Sequence, residues 1–207
     1  MRLRLAAIGL ALTIAGAAFA DPASDCQQEE DHDLTIRGCT YFIEVLGRGN
    51  KILSLNRRGL AYYRKGEYER AIADLDEAIR LSPNYRNAYN SRAWVLLKAG
   101  RLEEAKRDAD KAVAFAPTSD NLDTRGHILL ALGEVQAALD DFNAALSMNA
   151  DSISALLGRG QTYEARGFPM EALADFKKAS DLEALDFDDR EAQAKARARL
   201  LALQATH

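Results

Sequence analysis

The pattern with the most chemical content is an arginine followed sixteen positions later by an aspartate, and it occurs four times: Arg58 with Asp74, Arg92 with Asp108, Arg125 with Asp141, and Arg159 with Asp175. A guanidinium forks onto a carboxylate through two parallel hydrogen bonds. Sixteen residues across a tight antiparallel turn bring the two positions level. Four arginines in a row are also what an anion site would use, but an equal row of aspartates at a fixed offset answers that charge. The pattern therefore reads as an ion-pair ladder that sets the register of helix pairs.

Other reactive arrangements are scarce. The histidines are His32, His127 and His207, and there is no Gly-rich phosphate loop, GxSxG or HExxH. Asp123 and His127 share a helix face, as two metal ligands would, but no third ligand stands nearby in sequence. They are expected to be a solvated pair. Neither an enzyme nor a cofactor or metal is expected, and Met148 and Met170 read as ordinary packing.

The 207 residues are 48% hydrophobic and 28% charged with only four prolines, which suits one helical domain with a real core. Lys and Arg number 27 against 31 Asp and Glu, for a net charge of -4. That balance leaves no chain-wide footprint for nucleic acid, and no nucleic-acid partner is expected.

Residues 1–20 have a basic start, an apolar run and a small-x-small end at Ala18, Phe19 and Ala20, so they read as a signal peptide cleaved before Asp21. The uncharged stretch 5–20 would reach about 24 Å as a helix, short of the roughly 30 Å hydrocarbon layer. A stable membrane anchor after processing is not expected; an exported chain, periplasmic or secreted, is. In an oxidising compartment Cys26 and Cys39 can pair. Cys39 alone could be a small core residue between Ile36 and Ile43. Cys26 sits in "DPASDCQQEEDHD", too polar to bury itself, and a disulfide stapling this arm to the next helix accounts for both.

Aligning the chain on Gly66, Gly100, Gly133 and Gly167 exposes periods of 34, 33 and 34 residues. In that register, alanines seven apart ride on each second helix: Ala71 and Ala78, Ala105 and Ala112, Ala138 and Ala145, Ala172 and Ala179. Small residues also stand seven before each turn glycine (Gly59, Ala93, Gly126, Gly160). Large ones stand four before it (Tyr62, Leu96, Leu129, Tyr163). Small residues at close crossings and large ones in the gaps are what packed helix pairs require.

This pattern, clearest in "LNRRGLAYYRKGEYERAIADLDEAIRLSP" and "YNSRAWVLLKAGRLEEAKRDADKAVAFAP", resembles the tetratricopeptide repeat. Ala150 and Ala184 stand where Pro83 and Pro117 end the first two units. The resemblance implies an all-α superhelix of four antiparallel helix pairs, at 52–85, 86–118, 119–152 and 153–186. An N-terminal arm and helix at 21–51 would precede it, with Asp31 or Asp33 as N-cap. A capping helix at 187–207 would close it, turning Leu200 and Leu203 toward the last repeat.

The resemblance also implies binding of a protein or peptide in a concave groove. Its first-helix positions here are Asn56, Leu60, Tyr63 and Arg64; Asn90, Trp94, Leu97 and Lys98; Asp123, His127 and Leu130; and Leu157, Gln161 and Glu164. The lysine and asparagine clamp that some relatives use on a C-terminal carboxylate is unmatched, because Leu60, Ser91, Asp120 and Thr124 fill those places. An apolar strip flanked by Arg64 and Lys98 suits a segment with apolar anchors and some acidic character. Trp94 could instead pack between neighbouring first helices. A structural or assembly subunit working through its end helices or convex face is the alternative function.

Overall fold

The computed structural model describes residues 21–27, 30–45 and 48–205. The leader expected at 1–20 lies outside the described residues. The helices run in the order α1 (Pro22–Asp25), α2 (His32–Val45), α3 (Arg48–Arg64), α4 (Tyr68–Leu81), α5 (Arg86–Lys98) and α6 (Leu102–Phe115). They continue with α7 (Ser119–Ala131), α8 (Val135–Met148), α9 (Ile153–Ala165), α10 (Pro169–Asp181) and α11 (Phe187–Gln204). The closest-packed neighbours are α3 with α4, α5 with α6, α7 with α8 and α9 with α10, and each pair stacks on the next. The chain is an all-α helical superhelix, with no strand among the described residues.

Each pair turns at its glycine. Gly66, Gly100, Gly133 and Gly167 have φ between 76 and 81°, the left-handed conformation that costs a residue without Cβ nothing. The following N–H then reaches back to the carbonyl of the large residue four before the glycine; for example, Arg101 donates to Leu96 O at 2.9 Å. The first helix is thereby capped and the second begins at once. The eight alanines that stand seven apart on the second helices are all fully buried. The glycines among the small first-helix residues seat large partners sixteen positions on, Leu75 opposite Gly59 among them. A Cβ at Gly126 would lie 2.8 Å from the Phe142 ring, and one at Gly160 would lie 2.5 Å from the Phe176 ring.

The arginine and aspartate rows form a ladder of two-toothed ion pairs. Arg58, Arg92, Arg125 and Arg159 each donate through Nε and Nη2 to both oxygens of Asp74, Asp108, Asp141 and Asp175, at 2.6–2.8 Å. The aspartate side chains are only 8–10% exposed. Hydrogen bonds donated to these carboxylates hold the guanidinium groups of Arg58, Arg125 and Arg159 above the ordinary arginine value despite burial. The third nitrogen of each fork leaves its own repeat, reaching Thr40, Asp76, Asp110 or Asn143 on the preceding layer. One guanidinium thus ties two layers together.

At the front, Cys26 and Cys39 form a disulfide. The arm adds one helical turn, α1, and lies so close to α2 that a Cβ at Gly38 would sit 2.6 Å from the Asp25 Cβ and 2.7 Å from the Pro22 carbonyl. Asp31 caps α2, accepting from the Leu34 N–H at 2.9 Å. At the back, Asp186 caps α11, and Leu200 and Leu203 pack half-buried on the core of the last two repeats. Among the described residues no helix is long and apolar enough to cross a membrane.

Candidate functional site: the inner face of the stack

The first helices α3, α5, α7 and α9 stand side by side and present one face. Two adjoining cavities open on it. One, of about 480 Å³, is lined by Trp94, Leu97, Lys98, His127, Leu130, Leu157 and Gln161 together with α11 residues. The other, of about 630 Å³, is lined by Leu60, Asn90, Trp94 and Asp123 and again by residues at the start of α11. Asn56 and Tyr63 are buried beside this face, at 7% and 6% exposure, and Arg64 is paired with Asp188, which lines both cavities.

The centre of the face is a chain of restrained rings. Trp94 Nε1 donates to the Tyr63 hydroxyl at 3.0 Å, and that hydroxyl donates to Asp188 at 3.4 Å. Lys98 Nζ stands 4.4 Å from the centre of the Trp94 ring. The His127 ring meets Trp94 edge-on at 5.5 Å and Phe142 at 5.0 Å. Trp94 therefore does both jobs considered for it, packing partly against the core while walling both cavities.

Asp123 and His127 are not a solvated pair. Each side chain is 12% exposed, because α9 and the start of α11 cover the face that their spacing shares. His127 Nε2 lies 3.1 Å from Ser154 Oγ and 3.5 Å from Asp123 Oδ1. Burial pushes the Asp123 carboxyl up to about 7. Burial, aided by the Lys98 charge, holds the His127 imidazole down at about 4. Both groups are thus poised toward their neutral forms at mid pH. Among the described residues no three His, Cys, Asp or Glu side chains are grouped to hold a metal ion.

The element that sequence reasoning missed at this face is the start of α11. Arg64 Nη2 donates to Asp188 Oδ2 at 2.9 Å and its guanidinium lies over the Phe187 ring, while His32 meets that ring edge-on. Arg190 reaches Glu30 of the arm at 3.5 Å. The last helix thus crosses the inner face and fastens to the first layer. This changes the charge that the face has to offer. Arg64 is neutralised within the chain, the Lys98 ammonium is lowered by burial with Glu191 nearby, and carboxylates crowd the larger cavity. An acidic partner would meet like charge there. The acid-rich stretch "DLEALDFDDRE" was the available signal, since it is the nearest countercharge to the groove's basic residues.

Comparison with known proteins bears on the architecture. Tetratricopeptide repeat family models match residues 59–100, 87–119 and 124–186. Human tetratricopeptide repeat protein 13 is 32% identical over 137 residues, which is 64% of this chain and 16% of that protein. Mouse DnaJ homolog subfamily C member 7 is 35% identical over 101 residues, 46% of this chain and 20% of that protein. The chain spans a fifth or less of these curated relatives. Among solved structures, a thermophilic TPR protein of Thermus thermophilus is similar at a TM-score of 0.64 and 23% identity, covering 75% of this chain and 89% of that one. YrrB, described as a TPR protein with an unusual peptide-binding site, is similar at 0.58 and 21%, covering 82% and 93%. At such identities the likeness is one of fold.

Proposed function

The chain belongs to the tetratricopeptide repeat family, and from that premise we propose that it is an exported, non-catalytic module that takes a protein or peptide segment on its inner face. The repeats make it a protein-interaction module. The observation that carries the finer reading is convergence: first-helix side chains of all four repeats wall two adjoining cavities beside one half-buried tryptophan. An aromatic anchor amid apolar and charged groups is how a small surface holds a peptide. The peptide-binding site named for YrrB, which shares the fold, supports the same reading. Export rests on the leader-like first twenty residues, and an intact mass beginning at Asp21 is the expected product.

A second reading has one observation in its favour. Tyr41 and Val45, on the end helix α2, are 48% and 60% exposed at the front of the stack, where a second surface could dock. Site-specific photo-cross-linking separates the two. A cross-linker at Leu97 on the inner face should capture the partner in the exported fraction, while one at Gln136 on the outer helix α8 should not. Capture from Gln136 or Tyr41 alone would move the function to the outer surface or the end helix.

A further inference from the structure

Resting on the reading that the inner face is the binding face, we propose that the cavity between α5, α7 and the start of α11 is a cation site, built to receive an alkyl ammonium or guanidinium group. Its lining holds the carboxylates of Asp120, Asp123, Asp151, Glu183, Asp188 and Asp189 and no lysine or arginine. Part of that charge is answered inside the chain. Asp188 is paired with Arg64, and Asp151 with Lys178 at 3.0 Å. Asp189 accepts the Leu185 N–H at 3.2 Å. Asp120, Asp123 and Glu183 form no ion pair with a lysine or arginine among the described residues.

A cluster of acids alone would be only a solvated surface. What distinguishes this one is two buried acceptors that have no donor. Asp123 is 8% exposed and Ser154 hydrogen-bonds its carboxyl, but its Oδ1 carries no hydrogen bond; the His127 nitrogen 3.5 Å away is neutral and engaged with Ser154. Asn90 Oδ1, in the same wall, is also buried and unbonded. A buried oxygen left without a partner is costly, and a cationic donor would supply one while drawing the Asp123 carboxyl, lifted to about 7 by burial, into its charged form. The surrounding carboxylates specify that the donor be positive. Leu60, Trp94 and Leu185 add apolar wall to the same cavity, which suits the methylene stem that carries such a head in lysine, arginine or an alkyl diamine.

The site differs in sign from what Arg64 and Lys98 suggest when read singly. It selects a basic side chain of a partner segment or a free small amine, two sources of one chemistry that an experiment can separate. Trp94 is the only tryptophan of the chain and lies in the wall, so its fluorescence reports occupancy. The probes are 1,5-diaminopentane and the blocked tripeptide Gly-Lys-Gly, with 1-pentanol and glutarate as the uncharged and anionic counterparts. Calorimetry supplies an independent readout.

Both cations should give a saturable response and neither control should. Asp123→Asn should weaken cation binding by about tenfold or more, the loss expected for one hydrogen bond to a charged group. If that buried substitution lowers helicity, the surface double variant Asp120→Asn with Glu183→Gln reads the same field without touching the core. It should weaken binding by several fold. Tighter binding of the tripeptide assigns the site to a partner's lysine, and tighter binding of the diamine assigns it to a small amine. No saturable cation response, equal affinity for glutarate, or affinities unchanged in every folded variant would overturn the proposal. Cross-linking from Leu97 that persists without any cation response would sink this site and leave the inner-face reading standing. A cation response with capture from Gln136 alone would do the reverse.

Discussion

Arg92 holds two layers at once: its Nε and Nη2 clamp Asp108 at 2.6 and 2.8 Å, and its Nη1 donates to Asp76 of the repeat before. Each layer of a repeat stack contacts only its neighbours, so a side chain serving both sides couples their stabilities.

Asp108→Ala should therefore cost about 1–3 kcal/mol, because it leaves Nε and Nη2 of a guanidinium only 21% exposed without an acceptor, with Asp76 holding Nη1 alone. A double-mutant cycle on Arg92 and Asp108, followed by urea unfolding, should return a coupling of about 1 kcal/mol or more. An exposed pair would give less than that, and a coupling near zero would mean that packing alone sets the register.

The four turn glycines and the alanines beside them were readable as helix pairs because both recur with every unit, and the inner-face positions followed from the same register. The strap was not readable in this way. Asp188 and Arg64 are 124 residues apart, and Asp188 lies beyond the last period. Nor was the burial of Asp123 and His127, since a four-residue spacing tells which face they share but not what covers it. Counting Arg64 and Lys98 as free charges missed that Arg64 is paired with Asp188 and that Lys98 is partly buried.

Asp123 and His127 make stability depend on pH in opposite directions. The folded Asp123 value, about 7, lies above its ordinary 3.8, so folding favours the protonated acid and its contribution is lost as pH rises from about 4 to 7. The folded His127 value, about 4, lies below 6.5, so its contribution is lost as pH falls from about 6.5 to 4. Facing the pair are Ser154 and the charges of Lys98, Lys195 and Asp120. Removing the acid with Asp123→Asn should leave the histidine term alone. Stability should then climb with pH between about 4 and 6.5 by on the order of 2 kcal/mol more than in the wild type. His127→Gln should do the opposite. Parallel pH curves for all three proteins would contradict these assignments.

The staple at the front closes a loop between Cys26 and Cys39 and pins a polar arm that Gly38 alone admits so closely. Thiol labelling of unfolded, unreduced protein should find no free thiol. Reduction should lower stability by roughly 3 kcal/mol in the chain-entropy view. Gly38→Ala should destabilise the arm without touching the repeats, visible as faster proteolysis near residue 26 with the melting of the stack little changed. Two labelled thiols would refute the staple.

Binding of a partner on the inner face turns on Trp94, because the side chain walls both cavities yet is only partly buried. The measurement is partner affinity for Trp94→Ala beside its melting temperature and helicity. A loss of at least roughly 2 kcal/mol in binding, about thirtyfold in Kd, is expected with a small change in melting. Unchanged affinity together with a large fall in stability would contradict it, and would return Trp94 to the core.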